Sequence, residues 1–347
     1  MDSKKQINVL VADDSALMRI LISDIIEKDK SIHVIGQVNN GKAAYWSTKE
    51  LKPDVVLMDM TMGEYDGIYG VTKIMEDCPT PIIILSAVGN TDMEPIMKSL
   101  ELGAIDYLNK PAKNRVNMNE VKVALINKIK MASQIVLPQP DKSDHAVNIN
   151  EHSFGSEISY DCIVLGASTG GPRAIEKILT QLPRNLTVPV IIAQHMPASF
   201  VASFAERLNL LTPLNVVVAS NEAVVEGGNV YLAPGDANLV VIKKGGTMVF
   251  GSTSKLFLAY NNPSVDGLML SVAKAYKHKA IGIVLTGMGK DGSIGLKAIK
   301  DAGGYTIAQS EASCIVYGMP KAAWANGAVQ QMVHLDEIAG FLVSCLA

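Results

Sequence analysis

The chain has 347 residues, room for two domains of ordinary size, and its 48% hydrophobic and 19% charged residues describe a globular protein with sizeable cores. Lysine and arginine total 31 against 34 acidic residues, a net charge of −3 shared evenly between 16 basic and 18 acidic residues up to Met131 and 15 and 16 beyond it. That balance argues against a nucleic-acid binder, no apolar run of about 18 residues is there to span a membrane, and four cysteines without a CxxC pair fit a reducing cytoplasm better than a disulfide framework.

Five short apolar runs rich in valine and isoleucine come first: INVLVA at 7–12, HVIGQV at 33–38, DVVLMD at 54–59, PIIILSA at 81–87 and AIDYLNK at 104–110. No leader-like apolar region precedes them, because acidic residues follow the first run at once. Between them lie segments with apolar residues three and four apart, such as LMRILISDIIEK. Strands without polar alternation are buried on both faces, which predicts a parallel sheet covered by helices. The N-terminal part, residues 1–130, therefore reads as a flavodoxin-like (βα)5 domain.

Open α/β sheets place their sites beyond the carboxyl ends of the strands. Those ends carry Asp13 and Asp14, then Asp59, Ser86 and Lys110. Three clustered carboxylates repel unless a cation compensates, and oxygen ligands with open positions suit Mg²⁺. Asp59 could then accept a phosphoryl group, with Mg²⁺, Lys110 and Ser86 stabilising the transferred oxygens. Any one of these acids could equally end a strand or cap a helix.

Residues 131–157 break the rhythm with Pro138, Pro140 and scattered charges, and read as a linker. The pattern then resumes over 158–347: CIVLGAS at 162–168, VPVIIAQH at 188–195, NVVVAS at 215–220, NVYLAP at 229–234, AIGIVLTG at 280–287 and YTIAQS at 305–310. This predicts a second, doubly wound α/β domain with a mostly parallel sheet. Its strand ends deliver Ser168 in GASTGGP, His195 after Gln194, and Asp291 in LTGMGKDG. A serine on a Gly-flanked turn at a helix N-terminus, an imidazole to take its proton and a carboxylate to hold the tautomer make a nucleophilic triad. Each element also has a plainer reading: GASTGG could cradle a phosphate, His195 could be structural, and Asp291 could stabilise a turn.

VADDS, DVVLMDM, LSA and Lys110-Pro111 resemble the receiver domain of two-component response regulators. That resemblance implies phosphorylation of Asp59 by a chemotaxis histidine kinase, a metal site of Asp13, Asp14, Asp59 and the Thr61 carbonyl, and a phosphate response through Ser86 and Lys110. Gly63 stands where that family usually has proline, which predicts a looser loop. GASTGGPRAI, IAQHMPASFVASFAERL, VYLAPG, NPSVD, GIVLTGMGKDG and EASCIVYGMPKAA resemble the catalytic domain of the CheB-type chemotaxis receptor methylesterases, and the receiver extends the likeness to the whole chain. The resemblance implies Ser168 as nucleophile, His195 as base and Asp291 as its partner, with Thr169 and the backbone around Met288 supporting the oxyanion. It also implies methyl-accepting chemotaxis receptors as substrate, deamidation of certain receptor glutamines, a receiver that blocks the Ser168 crevice until phosphorylated, and no catalytic-domain cofactor. Asn238 and Asn261-Asn262 depart from that family, which usually has histidine at the first position and a His-Arg pair at the second. Two rival readings are a receiver fused to a catalytically silent adaptor and an esterase acting on another signalling protein.

Overall fold

The computed structural model describes residues 6–87, 93–110, 118–135, 137, 159–260 and 262–346, and the chain divides into two compact units, 1–145 and 146–347. Most of the stretch read as a linker, and Asn261, lie outside the described residues.

The first unit contains strands β1 (Ile7–Ala12), β2 (Ile32–Val38), β3 (Val55–Asp59), β4 (Ile82–Ser86) and β5 (Asp106–Asn109). Helices α1 (Ala16–Ile26), α2 (Gly41–Leu51), α3 (Gly67–Asp77), α4 (Glu94–Glu101) and α5 (Met118–Ala132) connect and follow them. The strands pair in parallel in the order β2-β1-β3-β4-β5. β3 and β4 are buried throughout, as their unbroken apolar runs require. Three helices begin where a short polar side chain accepts an otherwise orphaned N–H: Ser15 from Met18, Asn40 from Ala43 and Asp66 from Tyr69. Because the chain leaves β1 for β2 on one side and returns for β3 on the other, a crevice opens at the carboxyl ends of β1 and β3.

The second unit contains β6 (Cys162–Ala167), β7 (Val190–Gln194), β8 (Asn215–Val218), β9 (Asn229–Leu232), β10 (Asn238–Lys244), β11 (Thr247–Thr253), β12 (Ala280–Val284), β13 (Tyr305–Gln309) and β14 (Gln331–Val333). Its helices are α6 (Gly171–Leu179), α7 (Ala198–Leu211), α8 (Val265–Tyr276), α9 (Ser293–Asp301), α10 (Met319–Ala325) and α11 (Leu335–Leu346). Seven strands form a parallel sheet, β14-β13-β12-β6-β7-β9-β8. The switch in winding direction falls at β6 and β12, so the loops after β6, β7 and β12 share one edge of the sheet.

Three strands were not expected. β10 and β11 form a separate antiparallel ribbon closed at Gly245-Gly246, whose φ values of 56° and 94° suit a two-residue hairpin turn needing left-handed backbone at both positions. Leu239, Val241 and Phe250 of this ribbon join Leu268, Met269 and Val272 of α8 in one buried core. β14 is only three residues long, at the edge of the sheet.

Candidate functional site

In the first unit, the ends of β1, β3, β4 and β5 deliver the expected side chains. Asp13 and Asp59 are buried, Asp14 is exposed, and one carboxylate oxygen from each lies within 4.8 Å of the others. Lys110 Nζ sits 2.8 Å from both Asp13 Oδ2 and Asp59 Oδ1. The Asp13 contact is an ion pair by distance without hydrogen-bond geometry, so this buried oxygen still lacks a directed donor. An all-oxygen set with one such atom fits Mg²⁺. Burial raises the Asp59 carboxyl above the ordinary range, while Lys110 and the Thr61 N–H pull it back. Burial pulls the Lys110 ammonium down, but its contacts with Asp13 and Asp59 outweigh that and hold it above the usual lysine value. Ser86 is buried at the end of β4, and its carbonyl accepts from the Lys110 N–H at 2.6 Å, tying two strand ends together. Thr61 is exposed two residues beyond Asp59. Gly63 takes φ +69°, a conformation that proline's fixed φ forbids.

In the second unit, Ser168 is half-buried on the turn from β6 to α6, its N–H donating to the Thr286 carbonyl at 3.1 Å. His195 follows β7 and donates its backbone N–H to Ala167 O at 3.0 Å. Gln194 ties these two turns together: its Nε2 donates to Ser168 O at 3.0 Å and to His195 O at 2.9 Å. The amide needs the space a glycine leaves, since a Cβ on Gly171 would fall 2.0 Å from Gln194 Oε1. Gly287, in the loop after β12, likewise lies against Ser168, where an added Cβ would fall 2.4 Å from Met319 Sδ and 2.7 Å from Ser168 Cβ. That loop carries the partly exposed Met288, and Thr169 is buried beside Ser168.

His195 Nε2 lies 2.8 Å from Asp291 Oδ2, both side chains nearly buried. A carboxylate only accepts, so it holds the ring proton on Nε2 and leaves the Nδ1 lone pair available. The ring is thus used by the opposite edge from the Ser-His-Asp template, in which Nδ1 faces the carboxylate. Asp291 in turn occupies the N-terminus of α8. It accepts from Val265 N at 2.7 Å, Asp266 N at 2.9 Å, Ser264 Oγ at 3.3 Å and its neighbour Gly292 N at 3.1 Å. The first N–H groups of α8 and the positive end of its dipole thus face this carboxylate.

Asp266 reciprocates: one oxygen accepts from Ile294 N at 2.9 Å and Gly295 N at 2.7 Å at the start of α9. Burial, with the Asp291 charge adding to it, pushes this carboxyl up to about 6. A folded-state value above the unfolded one means that the charged form is penalised in the fold; the penalty is complete above about pH 6 and disappears as pH falls toward 3.8. Asp266→Asn keeps an acceptor oxygen without the charge and is expected to raise Tm at pH 8, by roughly 2–4 °C for each kcal/mol relieved, with the gain fading by pH 5. Asp266→Ala loses the cap and lowers Tm at both. Thermal unfolding of the three proteins checks this, and equal losses for both variants at pH 8 would contradict it.

The strand-end pattern does not single out Gln194, Ser264 or Asp266. The available signal was local: a glutamine closing an apolar strand, and Ser264-x-Asp266 opening a helix. Among the described residues, no helix is long and apolar enough to cross a membrane.

A family model described as CheB methylesterase matches residues 163–342, and one described as response regulator receiver domain matches residues 9–122. A curated relative from Archaeoglobus fulgidus, named protein-glutamate methylesterase/protein-glutamine glutaminase, is 37% identical over 341 residues, covering 97% of each chain. One of the same name from Bacillus subtilis is 37% identical over 353 residues, covering 98% of each. The crystal structure of the Thermotoga maritima CheB methylesterase catalytic domain aligns with a TM-score of 0.51 at 37% identity, covering 54% of this chain and 98% of that one.

Proposed function

The chain belongs to the CheB methylesterase family, with a response regulator receiver domain ahead of the catalytic one, and we propose on that premise that it is a phosphorylation-activated hydrolase of glutamate methyl esters on methyl-accepting chemotaxis receptors, working in the cytoplasm. The observation that carries the chemistry is the buried His195–Asp291 pair, joined through Gln194 to the Ser168 turn.

Ser168 attacks the γ-carbonyl of the ester while His195 Nδ1 takes its proton, and Asp291 stabilises the imidazolium that results. Backbone donors at Thr169 and around Met288 receive the developing oxyanion, a contribution of about 3–4 kcal/mol per donor in comparable acyl transfer. The proton then leaves with methanol. The imidazole next takes a proton from water as it attacks the acyl-enzyme, regenerating Ser168 and leaving a glutamate carboxylate. A glutamine side chain passes through the same acyl-enzyme with ammonia as leaving group, which accounts for deamidation by one site. A silent adaptor would have no use for a near-buried imidazole with one nitrogen committed to a carboxylate.

In the receiver, Asp13, Asp14, Asp59 and the Thr61 carbonyl would hold Mg²⁺, which when bound neutralises charge on the incoming phosphoryl group. A chemotaxis histidine kinase supplies that group to Asp59. Lys110, already in contact with Asp59, and Ser86 then meet the phosphoryl oxygens and shift the receiver between two states.

Gly287→Ala tests the placement of the nucleophile without replacing any residue of the triad. The added methyl crowds both Met319 Sδ and the Ser168 turn, and a misplacement of Ser168 by about 1 Å is expected to reduce hydrolysis roughly 10²-fold while far-UV circular dichroism stays unchanged. Full activity in this variant would contradict the proposed placement.

A further inference from the structure

The loop between β11 and α8 carries Tyr260, whose ring is stacked on the His195 imidazole with centroids 3.8 Å apart and planes 18° from parallel. Two anchors set the loop. Phe257 packs on α8 at Gly267, where a Cβ would fall 2.7 Å from its ring. Asn238, buried at the start of β10, donates to the Lys255 carbonyl at 3.3 Å and accepts from the N–H groups of Asn262 at 2.9 Å and Ser264 at 2.7 Å. One side chain thereby ties both ends of the segment. Leu256 and Leu258 on this loop point into solvent, 82% and 93% exposed, so Tyr260 is turned onto the imidazole by the path of the loop and not by a general collapse of apolar groups.

The contact supplies what the triad lacks. The hydrogen bond from Nε2 to Asp291 fixes one edge of the ring but does not by itself resist rocking about that bond. An aromatic face over the imidazole removes that motion. Moreover, the ring is cationic only between two events. When the Ser168 O–H bond breaks and the Oγ–carbon bond forms, the proton passes to Nδ1; when the ester C–O bond breaks, the same proton leaves with methanol. A π face attracts the cation more than the neutral ring, so the contact favours the transition states on either side of the intermediate.

We propose that Tyr260 is a positioning residue for this hydrolysis, holding the His195 ring face-on and favouring its imidazolium. The inference rests on Ser168 and His195 acting as described above, and on no assumption about which polypeptide carries the ester.

The test uses the full-length phosphorylated chain and a short peptide bearing one glutamate γ-methyl ester, with wild type, Tyr260→Phe, Tyr260→Leu and Ser168→Ala. Tyr260→Leu keeps apolar bulk without the π face, and its kcat is expected to fall about tenfold, equivalent to about 1.4 kcal/mol, with KM little changed. Tyr260→Phe should stay near wild type. In NMR spectra, the His195 ring C–H resonance, assigned by its loss in His195→Gln, should lie upfield in wild type and Tyr260→Phe and move downfield in Tyr260→Leu. Wild-type kcat in Tyr260→Leu, a loss confined to KM, or an unmoved resonance overturns the proposal while an inert Ser168→Ala leaves the triad standing. Hydrolysis by Ser168→Ala would overturn both.

Discussion

Replacing Ser168 with alanine is expected to reduce methanol release from methylated receptors by at least about 10³-fold, with the fold unchanged. Removing the nucleophile of such a unit has cost about 10⁶ in kcat in a comparable serine hydrolase, and residual catalysis there comes from oxyanion donors and substrate binding alone. The substitution deletes one half-buried hydroxyl on the β6–α6 turn. The contacts that shape this turn use its backbone: Ser168 N to Thr286 O, and Ser168 O to Gln194 Nε2. Alanine retains all of these, so circular dichroism and Tm should match the wild type. Methanol release measured on matched preparations checks the prediction.

The second large effect belongs to Asp59. Asp59→Asn is expected to abolish stimulation by a small phosphodonor with Mg²⁺ and leave the unstimulated rate. An amide can neither form the acyl phosphate nor supply the charge that Mg²⁺ and Lys110 meet. Driving a two-state receiver from 1:99 to 99:1 takes about 5.5 kcal/mol; a tenfold stimulation needs only about 1.4 kcal/mol. The unstimulated rate should therefore be measurable in both proteins. Comparing rates with and without donor checks it, and equal stimulation in the variant would remove Asp59 from the account.

Much of this is legible in the sequence, and for a physical reason. Strands buried on both faces in parallel sheets are written as unbroken apolar runs, and their carboxyl ends are where open α/β sheets place chemistry. Reading those ends brought Asp13, Asp59, Ser86 and Lys110 together in one unit, as the geometry has them. It also named Ser168, His195 and Asp291. What escaped was set by loops and by pairs distant in sequence. The β10–β11 ribbon alternates weakly and turns at Gly245-Gly246, a hairpin signal that the surrounding β–α rhythm obscured. The reciprocal capping of α8 by Asp291 and α9 by Asp266 links residues 25 or more apart in sequence. Which edge of His195 meets the carboxylate depends on ring orientation, which composition and spacing do not encode. Asn238 drew notice only as a departure from the family pattern, yet its amide braces the loop that leads into α8.

The central claim is that one chain couples a phosphorylatable Asp59 to ester hydrolysis at Ser168. Methanol release from methylated receptor membranes, measured with and without Mg²⁺ and a small phosphodonor, tests it most directly. Release should rise with the donor in the wild type, stay unstimulated in Asp59→Asn and fall at least about 10³-fold in Ser168→Ala. Release that ignores the donor, or persists without Ser168, would contradict it.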